Sequence, residues 1–219
     1  MINKAVWNRV VEFVGEKSRP GTAFLLGSGP DQMLVTARHL CTEDPEETIL
    51  LRHTETNDGN AYSALARRVG INVAPAADFA IFRMETPIEV EDDIPLDSAG
   101  FFYTQPAYIL GFPYGLSLQV DVASPRRMPI VKSCIISGSG FTDDGVAVLY
   151  IDTLVNPGFS GGPLVFIDLN TNQPKFAGVV AKGMWAPVQE PTDENPDPQY
   201  GPAGIGIVIR ESNFRSLLP

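Results

Sequence analysis

Cysteine and histidine are both scarce in this chain, with two of each in 219 residues. Cys41 and Cys134 cannot build a disulfide framework for a chain of this length, so a reduced, cytoplasmic setting is the expectation. With only His39 and His53 beside them, no cluster has metal-ligand spacing, and neither a metal nor another cofactor is expected. Basic residues are outnumbered, 16 against 26 acidic, for a net charge of −10. That balance leaves no patch able to neutralise phosphates, which argues against nucleic acid and anionic membrane surfaces as partners. No apolar run is long enough for a membrane-spanning helix. The opening stretch MINKAVWNRVVEFVG is broken by Lys4, Arg9 and Glu12, so it lacks the uninterrupted apolar segment of a secretory signal.

What is present is a chain 44% hydrophobic, enough for a sizeable core in one large domain or two packed halves. Short apolar stretches recur between turn residues: TAFLLG, MLVTA, TILLRH, FAIFRM, AYILGF, IVKSCIIS, VAVLYID, PLVFID, FAGVVAK and GIGIVI. Their spacing and their Val, Ile, Phe and Tyr content predict an all-β sandwich or barrel. Asn57-Asp58-Gly59-Asn60 and Asp143-Asp144-Gly145 are hairpin-turn signals. The acidic, proline-bearing segment Glu85 to Ser98 reads as the connection between two halves, residues 1–95 and 96–219. Ala186 to Pro202, rich in prolines and acids, reads as a long surface loop. Residues 3–14 have helical spacing at Val6, Trp7, Val10, Val11 and Val14, though Val11-Glu12-Phe13 equally suits the start of a strand. The tail from Ser212 predicts a short terminal helix.

The segment VNPGFSGGPLVF, residues 155–166, puts three glycines and two prolines around Ser160, between apolar strands. A hydroxyl with an ordinary pKa needs an adjacent base to become a nucleophile, and that base needs a third group to fix its tautomer. Of the two histidines, His39 in LVTARHL stands where a strand ends and a side chain can face a cleft; His53 reads as an ordinary strand-end residue. Asp78 in NVAPAADFAIFRM is the one acid in a long apolar neighbourhood, suited to pair with His39 or, alternatively, to cap the turn before its strand. Gly158 can adopt the backbone conformation that aims its own N–H and that of Ser160 into one pocket, as an oxyanion requires. Gly161 and Gly162 keep Cβ atoms clear of that place, and Pro163 opens the next strand.

His39 in TARHL, Asp78 in DFAIF and Ser160 in GFSGGPL stand in the order and spacing of the chymotrypsin-like serine peptidases. GTAFLL, YILGFPYG, NPGFSGGPLV and GIGIVIR resemble the bacterial HtrA-type branch of that family. The resemblance covers roughly residues 20–210 and does not extend to a PDZ domain, so HtrA-style peptide sensing is not expected of this segment. It implies two antiparallel six-stranded β-barrels with the site between them. It further implies His39 as general base and acid, Asp78 as its orienting partner, Ser160 as nucleophile, and the N–H groups of Gly158 and Ser160 as oxyanion hole. FAGVVAKG would be the substrate-pairing strand, with Ala181, Lys182 and Gly183 beside the specificity pocket and Leu154 at its floor, a neutral pocket. The sequence departs from the family at Phe159, where trypsins activated by cleavage have an aspartate, at Arg38, usually a small residue, and at Cys41, which is not placed for the family's disulfide. The acids from Glu190 to Asp197 read as a solvated loop.

The expectation is a serine endopeptidase acting on polypeptide substrates through an acyl-enzyme, either competent as it stands or latent until a partner or fused domain activates it. The alternative is an inactive or regulatory peptide-binding module of the same fold. The order His, Asp, Ser argues against an α/β-hydrolase, in which the serine comes first.

Overall fold

A computed structural model describes residues 2–14, 20–44, 47–55, 61–69, 77–91, 93–118, 127–189 and 197–218. Its strands form two six-stranded antiparallel sheets of the trypsin-like fold. The first holds β1 (Val10–Val14), β2 (Pro20–Leu26), β3 (Met33–Thr36), β4 (Thr48–Glu55), β5 (Ala61–Arg68) and β6 (Ala80–Met84), paired in the order β1-β2-β3-β6-β5-β4. The circuit returns to β1 through one pair, Glu12 opposite Arg52. The second holds β7 (Pro106–Gly111), β8 (Ile130–Phe141), β9 (Ala147–Asp152), β10 (Pro163–Asp168), β11 (Gln173–Gln189) and β12 (Gln199–Arg210), in the order β10-β11-β12-β9-β8-β7. Here Ala107–Ile109 pair with Leu164–Phe166 to complete the ring.

Burial explains which strands read as continuous apolar runs. β2 and β3 are buried along almost their whole length, and β2 meets the second barrel as well as its own. Phe24 of β2 meets Phe176 of β11 with ring centroids 5.1 Å apart, a tilted aromatic contact across that junction. β8 instead alternates toward solvent along its twelve residues. The interior of the second barrel is a separate cluster that includes Ile109, Ile136, Leu149, Ile151, Leu164 and Phe166.

Two expectations change here, and one open reading is decided. Of the two readings of residues 3–14, the helix holds only for α1 (Lys4–Trp7), capped by the Asn3 side chain accepting from the Val6 N–H, and the strand holds for Val10–Val14. Barrel pairing with β2 overrides the helical spacing from Val10 onward. Both ends of the segment expected to be a loop from Ala186 to Pro202 are strand: β11 runs to Gln189 and β12 starts at Gln199, paired as Trp185–Pro202, Ala186–Gly201 and Pro187–Tyr200. Prolines are tolerated there because a two-stranded arm has open edges. The terminal helix is a pair of 3-10 turns, Glu211–Asn213 and Arg215–Leu217, too short to run as an α-helix. The Asn57–Asn60 turn lies outside the described residues, as do Glu190 to Pro196.

Candidate active site

Sheet register brings the histidine and the aspartate together. Thr36, the last residue of β3, pairs with Ala80, the first of β6. Continuing that antiparallel register by two residues sets position 38 opposite position 78, where both chains leave the sheet. A 3-10 turn over Arg38–Leu40 then holds His39 against the carboxylate. Asp78 Oδ2 lies 2.7 Å from His39 Nδ1, and Asp78 Oδ1 accepts the His39 backbone N–H at 2.9 Å. The carboxylate thus grips the residue at two points, fixing ring and backbone together. With Nδ1–H donating to the carboxylate, Nε2 is left as the acceptor. Asp78 therefore caps a turn and orients the ring at once. Behind it, Phe79 packs on Phe214 of the C-terminal tail at 4.8 Å between ring centroids, which ties the aspartate segment to the end of the chain. His53 lies in β4, in the first sheet.

Ser160 sits between β9 and β10, and its turn is docked onto the first barrel. The Thr22 N–H donates to Ser160 O at 2.9 Å. Gly161 has φ +85°, and a Cβ on it would overlap Thr22 O and Thr36 Oγ1 and lie 3.0 Å from Ala37 N. Only glycine lets the serine turn come that close to the strand that leads into His39. Gly158 has φ +102°, and a Cβ there would overlap Phe112 O and stand 2.8 Å from Pro113 Cα. The Pro157 carbonyl is turned away to accept the Tyr114 N–H at 2.9 Å. Among the described residues, the N–H groups of Gly158 and Ser160 have no acceptor, as an oxyanion pocket requires. The Ser160 hydroxyl donates to Ala181 O at 3.1 Å rather than to His39.

Two residues missed by sequence reasoning hold this turn. Thr22, buried at the barrel junction, accepts the Phe112 N–H at 3.0 Å and donates to Gly158 O at 2.6 Å. A lone threonine in an apolar strand gives no signal of such a role. Thr22→Val strands a buried donor and a buried acceptor, and is expected to lower unfolding free energy by about 1–3 kcal/mol in denaturant titration. Lys132 of β8 donates from Nζ to Leu154 O and, at 3.1 Å, to Asn156 Oδ1; Asn156 Nδ2 in turn reaches the Tyr114 hydroxyl at 3.3 Å. Desolvation holds the Lys132 ammonium below its ordinary pKa.

The departures from the family pattern resolve into ordinary packing. Phe159 is 1% exposed and belongs to the core of the second barrel, so apolar burial anchors the turn where an ion pair would otherwise do so. Phe159→Ala is expected to cost about 3–5 kcal/mol, read as a large loss of denaturation midpoint. Arg38 pairs with Glu43 at 3.2 Å. Burial pushes the Cys41 thiol up to about 12, so it stays protonated two residues beyond His39 and supplies no nucleophile. Cys134 is pushed up to about 12 in the same way.

Ala181 is buried in β11, Lys182 is exposed and Gly183 half-buried. Leu154 is 46% exposed, and the side chain that packs toward the strand glycines is that of Val155. A Cβ on Gly206 would lie 2.7 Å from Val155 Cγ2, and one on Gly183 would lie 3.6 Å from Val155 Cβ.

Residues 21–170 match the family model of the trypsin-like peptidase domain. The chain belongs to the trypsin-like peptidase family. That family is one of serine-type endopeptidases. It is 28% identical over 162 residues to a probable periplasmic serine endoprotease, DegP-like, of Marinomonas sp. (strain MWYL1), a match covering 70% of this chain and 29% of the relative. The chain thus corresponds to under a third of that relative's length. Among solved structures, the Rv3671c protease from M. tuberculosis in its active form superposes with TM-score 0.60 at 19% identity, over 97% of this chain and 80% of that one. The HtrA-type protease AlgW with a tripeptide gives TM-score 0.59 at 20% identity, over 95% and 58%. Both likenesses are of fold.

Proposed function

We propose that this trypsin-like peptidase hydrolyses peptide bonds in polypeptides through an acyl-enzyme on Ser160. The observation that carries the reading is the pairing of a two-point Asp78–His39 grip with two acceptor-free N–H groups flanking the serine turn. In the reaction the Ser160 hydroxyl leaves Ala181 O and turns to His39 Nε2. Nε2 takes the proton as Oγ bonds to the scissile carbonyl carbon, and the oxyanion is received by the N–H groups of Gly158 and Ser160. The imidazolium, held by Asp78, then gives its proton to the leaving amine. Water repeats the sequence in reverse order on the acyl-enzyme, with Nε2 accepting its proton and returning one to Ser160 Oγ.

Asp78 orients and stabilises; it does not itself change protonation. Lys132 is a positioning residue for the 154–158 segment. Lys132→Met is expected to lower kcat by up to about 100-fold by letting the turn drift, with KM much less affected and Lys132→Arg restoring part of the loss. Leu154 and Val155, in the segment ahead of the serine turn, fit a neutral side chain before the scissile bond.

Digestion of an unstructured polypeptide, with products mapped by mass spectrometry, tests the reading. Cleavage by the wild type and none by Ser160→Ala supports it. Identical product patterns from both proteins would reject it. The resting bond from Ser160 to Ala181 O favours a second reading, a latent or peptide-binding module. Tight peptide binding without turnover would establish that one.

A further inference from the structure

β11 does not end at the site. As far as Val179 it lies between β10 and β12; from Lys182 to Gln189 it keeps β12 on one edge and, among the described residues, has no strand on the other. That open edge starts at Ala181, whose carbonyl holds the Ser160 hydroxyl, and runs away from the serine. At about 3.3 Å per residue it continues for about 26 Å, to Gln189. A strand added to it antiparallel runs toward Ser160, so its residues ahead of the scissile bond lie along the arm.

The side chains on the arm are ones a solvent-facing hairpin rarely shows. Trp185 is 65% exposed, Val188 66% and Tyr200 58%. The register Trp185–Pro202 and Pro187–Tyr200 places Trp185, Pro187, Tyr200 and Pro202 on one face, beside the open edge. Residues 181–188, AKGMWAPV, contain no acid and one cation, Lys182. Exposed contiguous apolar surface of this kind marks a binding surface, and rigid aromatics are the residue types that anchor one.

Resting on the peptidase reading, we propose that the β11–β12 arm is an extended subsite for the substrate polypeptide. It pairs with the backbone four to seven residues ahead of the scissile bond, and Trp185 and Tyr200 receive aliphatic or aromatic side chains there. The continuity of the edge with the serine selects the occupant, because a chain threaded past Ser160 in this direction has no other course along β11. Productive substrates are therefore unfolded segments with an apolar stretch upstream of the cut, and short peptides are poor ones.

The test is fluorescence anisotropy with the Ser160→Ala protein, which reads binding without turnover. Labelled peptides share a core of three residues on each side of the bond and carry no extension, a four-residue Leu/Phe extension or a four-residue Ser/Gly extension on the N-terminal side. Expected is a roughly 10- to 100-fold lower Kd for the Leu/Phe peptide than for the core, a much smaller gain for Ser/Gly, and collapse of the Leu/Phe gain in Trp185→Ser and Tyr200→Ser. Equal Kd values for all three peptides would overturn the proposal, as would a full gain retained in both variants. So would a concentration-dependent dimer that Trp185→Ser dissolves in the absence of any length dependence, since the face would then belong to a second copy. Wild-type protein that cleaves the core peptide keeps the peptidase reading standing whichever way the binding series falls; length-dependent binding without cleavage keeps the subsite and removes the chemistry.

Discussion

Ser160→Ala is expected to lower kcat on a peptide substrate by roughly 10⁵- to 10⁶-fold, to the residual rate that binding and the oxyanion pocket support by themselves. His39→Ala should cost about as much, and the double variant little more than either, because nucleophile and base act as one unit. The expectation rests on geometry: the serine turn is fixed to the first barrel by the Thr22 N–H and by the glycine contact at position 161, so neither variant should disturb the fold. Steady-state kinetics with circular dichroism on the same samples measures both. A Ser160→Ala protein that keeps wild-type turnover removes Ser160 from the mechanism, whereas a large deficit from His39→Ala alone would point to a different nucleophile.

Asp78→Asn is expected to lower kcat by about 10⁴-fold near neutral pH while the protein stays folded. The two oxygens of Asp78 do different work, Oδ1 accepting the His39 backbone N–H and Oδ2 facing Nδ1. A carboxamide keeps the first contact through its oxygen but presents an NH2 to Nδ1. The imidazole must then carry its proton on Nε2, where it cannot take one from Ser160. Rates measured against pH separate this from misfolding: the wrong-tautomer enzyme recovers activity as hydroxide rises, and a collapsed site does not. Asp78→Ala, which also releases the backbone contact, should be no better at any pH.

Ten apolar runs in the sequence correspond to strands because burial on one or both faces demands Val, Ile, Leu and Phe there. β5 was not legible: AYSALARR has small alanines where a strand reader looks for branched side chains, and only pairing with β4 and β6 makes it extended. The arm was misread for a related reason. Its prolines and acids resemble a loop, but Trp185, Ala186 and Pro187 form a regular ladder with Pro202, Gly201 and Tyr200, a long-range pairing that local composition does not encode.

At the site, the serine turn was legible because its glycines are demanded by close backbone approach, and His39 because histidines are so few. The Asp78 grip was half legible; its second oxygen holding the His39 backbone follows from the β3–β6 register, which the sequence does not display. Thr22 and Lys132 were invisible, since each acts on residues over 20 positions away through a single polar atom. Phe159 was legible only as an anomaly. Its explanation is three-dimensional: the turn is anchored in the core of the second barrel, so no carboxylate is needed at that position.

The most direct test of the central claim is labelling of the purified protein with a fluorophosphonate, followed by peptide mapping. The expected result is a single adduct on Ser160, absent in Ser160→Ala and strongly slowed in His39→Ala, because phosphonylation needs an activated hydroxyl and a formed oxyanion pocket. A well-folded wild-type protein that takes no label, or takes it elsewhere, would contradict an assembled triad at Ser160.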